Sequence, residues 1–207
     1  DIDLMMDRSN FKRFAAIAKK EFSYPYYFQG LYSFEYLRGH AKIIRKDTCA
    51  ILKSELNRRF SFPQGIFIDI FIYDNVPDSE SLFTHYINKC IQLKKKAYKM
   101  RNIFHSDEGE SRILKKICSS VMRVLHLPNF IYYRFEHYCQ KYNKFNTRKF
   151  ANISFMPDRK KGFVNRASYA ESLPVDFEFM KINCPAVYTD FLEEYYGEGW
   201  REYVMGT

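Results

Sequence analysis

Three aspartates stand at positions where a carboxylate could do chemistry. Asp1 and Asp3 open the chain in DIDLM, and Asp69 stands inside GIFIDIFIYD. If DIDLM is a strand, Asp1 and Asp3 share one of its faces, because side chains alternate with a period of two. Two carboxylates so placed can chelate a hard divalent cation through oxygen ligands. The spacing therefore predicts a Mg²⁺ or Mn²⁺ site, with Asp69 as a third ligand from a later strand.

Asp69 lies in the clearest strand of the sequence. Alternation places isoleucines on one face of that strand, and Phe67, Phe71 and Tyr73 beside Asp69 on the other. Both faces are apolar, as in a central strand covered on both sides. An unpaired carboxylate there would cost several kcal/mol or become protonated. We expect a metal ion, a cation or substrate to contact Asp69; the alternative is a structural aspartate satisfied by an arginine or a cap.

The elements around these aspartates indicate an α+β protein. Apolar residues over 11–22 recur at helical spacing, and Asp7 or Ser9 can cap that helix. LYSFEYLRGHAKIIRKDTCAIL predicts one or two strands with a turn near Gly39, and a further strand is predicted to end at residue 74. These patterns indicate a sheet-based core that carries a helical insertion.

The order of these patterns divides the chain into three parts. Residues 1–78 are expected to form most of the core, 79–145 a helical insertion, and 146–207 the part that completes the core. Strand patterns return only weakly at KFANISFM, and the tail predicts a helix that ends at Gly197. The insertion is expected to pack on the sheet as an appendage.

Composition and charge narrow the function classes. A hydrophobic content of 46% and an aromatic content of 18% exclude a disordered chain. The formal charge of +9 favours an anionic partner: a phosphate-bearing substrate, nucleic acid or a membrane surface. Five scattered cysteines without a CxxC pair argue against a disulfide framework or a zinc site, and for a reducing compartment.

Other charged residues lie near the predicted strands. In AKIIRKDT, alternation puts Lys42 and Arg45 on opposite faces, so only one of them can face a site on a regular strand. Glu178 in DFEF, on a predicted strand, can orient substrate if it is buried. Asp74 is interpreted as a turn residue just past the strand end. The alternative for Lys42 and Arg45 is a solvated edge cation, and for Glu178 a structural role; no histidine is assigned.

The run KCIQLKKKAYKMR carries six basic residues on one predicted helix. They are expected to spread over more than one face and to be solvated. The alternative is that they attract an anionic glycan, or an anionic membrane that carries a lipid-linked acceptor.

Four of these stretches carry a family resemblance. DIDLMMDRSNFKRF, AKIIRKDT, GIFIDIFIYDNVPD and the tail LPVDFEFMKINCPAVYTDFLEEYYGEGW resemble, in this order, the motifs of the LicD family. That family includes bacterial phosphocholine transferases and fukutin-type ribitol-phosphate transferases. The resemblance implies a polymerase-beta-like nucleotidyltransferase core, in which a small mixed β-sheet is flanked by helices. In the family, an aspartate run and a Gly–Ser/Thr–Leu–Leu segment come before D-I-D, so these are expected to precede Asp1.

The resemblance also implies a reaction and its partners. A phospho-alcohol, phosphocholine or a polyol phosphate, would move from a CDP-activated donor to a hydroxyl of a cell-surface glycan or a teichoic-acid-like, lipid-linked polymer. Asp1 and Asp3 would hold Mg²⁺ against the diphosphate, and Asp69 would complete the metal site or take the acceptor's proton. Lys42, Arg45 and Glu178 would bind substrate.

The expected location is the cytoplasm, with peripheral contact at the inner face of the membrane, and no nucleic-acid partner is expected. Two alternatives belong to other classes. One is a nucleotidyltransferase that acts on nucleic acid, and the other is a catalytically inactive, glycan-binding family member.

Overall fold

The computed structural model describes residues 3–31, 36, 38–53, 56, 62–104, 113–125, 127–155, 157 and 163–202. Asp1, one of the three predicted metal ligands, lies outside these residues. The elements in chain order are β1 (Asp3–Asp7), α1 (Arg8–Glu21), β2 (Tyr26–Gln29), β3 (His40–Arg45), β4 (Ile66–Val76), α2 (Glu80–Phe104), α3 (Ile113–Val124), α4 (Leu127–Cys139), β5 (Lys149–Ala151), β6 (Phe163–Asn165), α5 (Arg166–Ala170), β7 (Ser172–Phe177), β8 (Met180–Pro185) and α6 (Tyr188–Tyr196).

A mixed sheet forms the centre of the described structure. Its strands follow the order β2-β3-β4-β5-β6, and β1 pairs with β4 outside that path. β1 runs parallel to β4, whereas β3 and β5 run antiparallel to it. The predicted α+β class, with a small mixed sheet flanked by helices, is confirmed. The strand β2 was not predicted from the sequence.

β4 is covered on both faces, as its apolar alternation predicts. On one face, Ile70 and Ile72 pack with Phe11 of α1 in a shared apolar cluster. On the other face, Tyr73 packs with Phe150 of β5, with ring centroids 5.1 Å apart. β4 is therefore the central strand, with apolar clusters packed on both of its faces.

The junction between β1 and α1 is fixed by a helix cap. Asp7 Oδ1 accepts hydrogen bonds from the backbone N–H groups of Ser9, at 2.8 Å, and Asn10, at 2.9 Å. These groups have no partner inside the helix, so the carboxylate satisfies them. The prediction of Asp7 as the cap is confirmed.

The helices α2 and α4 share a core with the sheet. Tyr86 and Ile87 of α2 and Phe135 of α4 are buried together with Val76, at the end of β4, and Ile153, just after β5. The predicted helical insertion is thus joined to the sheet by buried apolar contacts. Within the described residues, no helix has the length and apolar character needed to cross a bilayer.

The tail forms a hairpin and a short helix. β7 and β8 pair with each other as a separate two-stranded sheet. α6 ends at Gly197, whose φ of 83° suits a residue without a side chain. The predicted glycine C-cap is confirmed.

Candidate active site

Strand register brings Asp3, Lys42 and Asp69 together. Asp3 lies opposite Asp69 in the parallel pair of β1 and β4, and Lys42 lies opposite Asp69 in the antiparallel pair of β3 and β4. Paired residues direct their side chains to the same face of a sheet, and neighbouring strands lie about 4.8 Å apart. The three side chains therefore project from adjacent positions on one face. This is the meeting of Asp3 with Asp69 that the sequence predicts.

Asp69 is flanked by two nitrogen-bearing side chains. Its Oδ1 lies 3.2 Å from Lys42 Nζ and 3.4 Å from His40 Nε2. Oδ1 is buried, but neither contact is a well-directed hydrogen bond. The Asp69 side chain is 16% exposed, whereas Lys42 is 8% exposed. Asp69 is thus paired by charge, remains accessible, and keeps capacity to accept another ligand.

Aromatic rings line the floor around these charges. Lys42 Nζ lies 3.0 Å from the centroid of the Phe67 ring. The His40 ring lies 5.5 Å from that of Phe71 and 4.8 Å from that of Phe155, measured between centroids. Apolar walls lower the local dielectric, so the charges act more strongly on each other and on any bound anion.

A close backbone approach holds the start of β3 in place. A β-carbon on Gly39 would lie 2.0 Å from the carbonyl oxygen of Ser154, so only glycine fits there. The Ser154 hydroxyl donates a 2.9 Å hydrogen bond to the Gly39 carbonyl. Lys94 Nζ of α2 donates to the Ser154 carbonyl at 3.4 Å. These contacts fix the backbone beside His40.

The local environment shifts the titration of all four groups. Burial, followed by the negative charge of Asp69, raises the pKa of Asp3. Burial alone would raise the pKa of Asp69, but His40 and Lys42 together hold it below its ordinary value. Burial lowers the pKa of Lys42 and that of His40, so the imidazole is neutral at neutral pH. Lys42 is therefore one positive charge beside two carboxylates. Because one negative charge is left over, the arrangement favours the binding of a further cation.

The donor chemistry fits a hard divalent cation. Asp3 and Asp69 supply carboxylate oxygens from adjacent strands, which are the ligands that Mg²⁺ and Mn²⁺ prefer. Among the residues that the structure describes, no group of three or more His, Cys, Asp or Glu is placed to hold a metal. The predicted third ligand, Asp1, lies outside those residues. The described site therefore contains two of the three predicted carboxylates.

Arg45 is not brought to this site. It ends β3 opposite Ile66, its side chain is 53% exposed, and its Nε donates to Asp47 Oδ1 at 2.8 Å. Lys42 and Arg45 lie on opposite faces of β3, as their spacing predicts. Of the two cations, Lys42 is the one that faces Asp69.

The expected position of Glu178 is wrong. We predicted a buried glutamate on a strand, but Glu178 is exposed in the turn between β7 and β8, with a φ of 53°. The flanking stretches pair with each other, Phe177 opposite Met180, so the residues between them have to turn. The hairpin is not hydrogen-bonded to the central sheet, and Glu178 is not placed beside Asp69 by strand register.

The interpretation of Asp74 as a turn residue is also wrong. β4 continues to Val76, and Asp74 is fully buried within it. Arg8 Nε donates to Asp74 Oδ1 at 2.8 Å, a second guanidinium nitrogen contacts Oδ2, and Asn143 donates to Oδ1. Arg8 also forms an ion pair with the buried Glu136 of α4. Asp74 is thus a structural carboxylate that is satisfied by its neighbours.

Sequence reasoning missed His40. Alternation along β3 would have found it, since His40 precedes Lys42 by two residues and so shares its face. The spacing of the histidines among themselves does not single it out.

A depression of about 730 Å³ lies elsewhere, at the start of α2. Asp3, Lys42 and Asp69 are not part of it. Its lining residues are Ser79, Glu80, Ser81, Thr84, His85 and Asn88. It was not predicted, and it adds nothing to the carboxylate site.

Comparisons of the chain with protein-family models, with curated proteins and with solved structures found no match. The LicD resemblance therefore stays a prediction based on the four motifs, and the geometry of the site has to be interpreted on its own chemistry.

Proposed function

We propose that the protein is a metal-dependent transferase that moves a phospho-alcohol from a CDP-activated donor to a hydroxyl of a glycan or glycan-like polymer. The observation that carries the proposal is the register of Asp3 against Asp69, with Lys42 at 3.2 Å from Asp69 on the same face. Diphosphate chemistry requires this combination of carboxylates and a cation, because charge must be neutralised at the phosphate under attack.

Asp3 and Asp69 would hold Mg²⁺ or Mn²⁺, together with Asp1 two positions earlier in the sequence. Such an ion supplies charge neutralisation at the diphosphate and orients it for displacement. The two aspartates are fixed by backbone pairing of their strands, so their separation does not depend on a loop.

Asp69 suits a ligand better than a general base. Lys42 Nζ lies 3.2 Å from Asp69 Oδ1, and a carboxylate stabilised by a neighbouring ammonium group is a weak proton acceptor. His40 contacts that oxygen from the other side and restricts how the carboxylate can rotate. We therefore assign Asp69 to metal binding and His40 to its positioning.

Lys42 is assigned to the phosphates of the donor. Its ammonium group rests on the Phe67 ring and is 8% exposed, so its position is restricted on the protein side. A lysine of this kind acts as a point charge for a phosphate oxygen. The LicD-like motifs support the choice of a CDP-alcohol as donor, since the carboxylates alone would suit any nucleotide diphosphate ester.

The test is a donor panel with a matched pair of variants. The protein is incubated with Mg²⁺, a polyol-phosphate or glycan acceptor, and either CDP-choline, CDP-polyols, or nucleoside triphosphates with an oligonucleotide. CMP release and acceptor modification are measured. Asp69→Asn is compared with Asp176→Asn, an exposed carboxylate on the hairpin that pairs with Lys181.

We expect CMP release from at least one CDP-alcohol, lost in Asp69→Asn and retained in Asp176→Asn. Incorporation of nucleotides into the oligonucleotide would replace the proposal with nucleotidyl transfer. Turnover that persists in Asp69→Asn, or no turnover with any donor, would contradict it.

A further inference from the structure

The helix α3 exposes an unusual amount of aliphatic surface. On a helical projection these side chains fall within an arc of roughly 100°, so they form one continuous face. No element in the described part of the chain covers this face. Its members and their exposed fractions are Ile113 (74%), Leu114 (77%), Ile117 (55%), Val121 (49%) and Val124 (78%). Contiguous exposed apolar surface of this kind marks a docking site.

The same part of the chain carries nearly all of the net charge. Residues 79–145 hold 13 of the 33 Lys and Arg but only 5 of the 24 Asp and Glu, a formal charge of +8 out of +9. One of those five acids, Glu136, is buried against Arg8 and does not offset the surface charge. An apolar face within a strongly basic block indicates a partner that is both hydrophobic and anionic.

The lysines of α2 are arranged as a surface stripe. Lys95, Lys96 and Lys99 are exposed and lie on one side of the helix. Lys94 is turned inward instead, with its Nζ near the Ser154 carbonyl and over the Phe155 ring. The expectation that the run spreads over more than one face is confirmed for Lys94, whereas these three exposed lysines form a common basic surface.

We propose that the helical insertion docks on an anionic lipid bilayer, with the aliphatic face of α3 in the boundary between headgroups and acyl chains. A short amphipathic helix with aliphatic residues on one face and basic residues around it binds membranes in this way. Anionic headgroups would neutralise the lysines of α2. The inference does not depend on the transfer chemistry proposed above.

Two other occupants fit the observations less well. A second copy of the chain would bring two blocks of charge +8 together, and like charges facing each other oppose association. Nucleic acid would satisfy the lysines through its phosphates, but it would leave the aliphatic face of α3 exposed to water. A bilayer satisfies both properties at once.

Vesicle flotation with the full chain tests the proposal. Vesicles of phosphatidylcholine alone are compared with vesicles in which about a third of the lipid is phosphatidylglycerol. We expect binding to the anionic vesicles that weakens as salt is raised, and little binding to the neutral ones. Equal binding to both, or binding to neither, would overturn the proposal.

Matched variants separate the two contributions. Ile117→Ser with Val121→Ser should lower partitioning roughly tenfold or more, because it removes inserted aliphatic surface. The control is Ile17→Ser on α1, which changes a side chain that is 60% exposed outside the helical block. Because all three side chains are exposed, the melting temperature should hardly change. Equal loss in the control, or no loss in the double variant, would contradict insertion of α3.

The charge contribution has its own pair of variants. Replacing Lys95, Lys96 and Lys99 by Gln should lower partitioning roughly a hundredfold, since each lysine near an anionic surface adds to the attraction. The control replaces Lys19 and Lys20 of α1, which are equally exposed, by Gln. A loss in the control as large as in the triple variant would contradict docking through this stripe.

A tryptophan reporter tests depth directly. In Val124→Trp, fluorescence should shift to the blue on anionic vesicles and be quenched by lipids with brominated acyl chains. Ile17→Trp should show neither effect, apart from any signal that the native Trp200 already gives.

Light scattering tests whether a second copy of the chain covers the face instead. A concentration-dependent dimer that Ile117→Ser with Val121→Ser abolishes, together with no quenching, would assign the face to a second copy and overturn the proposal.

Discussion

Two aspartates on β4, five residues apart, lie on opposite faces of the sheet and have opposite surroundings. Asp74 is fully buried and is held by Arg8 and Asn143. Asp69 is 16% exposed, lies near Lys42 and His40 without a well-directed hydrogen bond from either, and has Asp3 beside it. The first carboxylate has its partners from within the fold, and the second keeps room for a ligand.

The difference teaches how to separate structural from functional charges. A buried carboxylate held by a bidentate arginine already has its partners, and removing the arginine leaves an uncompensated charge. A partly exposed carboxylate beside a second carboxylate keeps contact with water, so a cation can still reach it. We therefore expect changes around Asp69 to affect activity and changes around Asp74 to affect stability.

The largest effect is expected for Asp69→Asn and Asp3→Asn. Each should lower transfer about 10³-fold or more, since each removes a carboxylate that would hold the metal ion against the diphosphate. Asp3→Asn should change the free energy of unfolding by about 1 kcal/mol or less, because Asp3 is exposed. Asp69→Asn should lower it by about 1–3 kcal/mol, because the buried ammonium group of Lys42 keeps only Asp3 nearby. Steady-state CMP release and urea unfolding measure the two quantities. Asp47→Asn, an exposed carboxylate paired with Arg45, serves as control; full activity in either site variant would contradict the assignment.

The second largest effect is expected on stability, for a change on the opposite face of β4. Arg8→Met should lower the free energy of unfolding by about 3–5 kcal/mol, because Asp74 and Glu136 would both stay buried without their cation. Urea unfolding followed by circular dichroism measures it. Arg13→Met, which changes an exposed arginine on the same helix, should have almost no effect. Equal unfolding midpoints for Arg8→Met and the parent chain would remove the distinction between the two faces.

A smaller effect on activity is expected along β3. Lys42→Gln should lower transfer about 10²-fold, because a positioned cation for the phosphates is lost. Arg45→Gln should leave transfer within about twofold, since Arg45 is exposed and pairs with Asp47 on the other face. Measuring kcat and KM for both variants with the same donor tests this. Comparable losses in the two would show that the face of β3 does not select the site residue.

The smallest effect concerns pH. Burial raises the pKa of Glu136 above its ordinary value of 4.5 by more than Arg8 lowers it. The ordinary value applies to the unfolded state, and the raised pKa applies to the folded state. Between the two, the folded state binds more protons than the unfolded one. The free energy of unfolding therefore falls as pH rises from 4.5 through the folded pKa. Glu136→Gln should flatten this decline, whereas the exposed Glu171→Gln should not. Urea unfolding over a pH series decides it; an unchanged slope in Glu136→Gln would contradict the shift.

Local signals in the sequence predicted the local structure well. Asp7 caps α1 and Gly197 ends α6 because capping depends on the few residues next to a helix end. The strand β4 was predicted because its alternation is uninterrupted. Its end was misplaced: we predicted that the strand ends at residue 74, but β4 continues to Val76 and pairs there with β5.

Properties that depend on distant residues were harder to predict. The bond between Arg8 and Asp74 joins residues 66 positions apart, and no local pattern predicts that contact. Glu178 adopts a positive φ, although turns with this backbone conformation usually contain Gly, Asn or Asp. The sequence therefore carried no local signal for this hairpin. The meeting of Asp3 and Asp69 was predicted from their chemistry, but the register that produces it is set by the apolar packing of three strands.

The contacts of Ser154 have a practical consequence for shortened versions of the protein. Lys94, inside the helical insertion, donates to the Ser154 carbonyl that contacts Gly39, the residue before His40. In addition, α2 and α4 cover Val76 and Ile153. Excising residues 79–145 and joining the ends by a linker would strip the sheet of its apolar cover and loosen the strand that carries Lys42. A shortened version that preserves the carboxylate site therefore has to keep these helices, whether or not they dock on lipid.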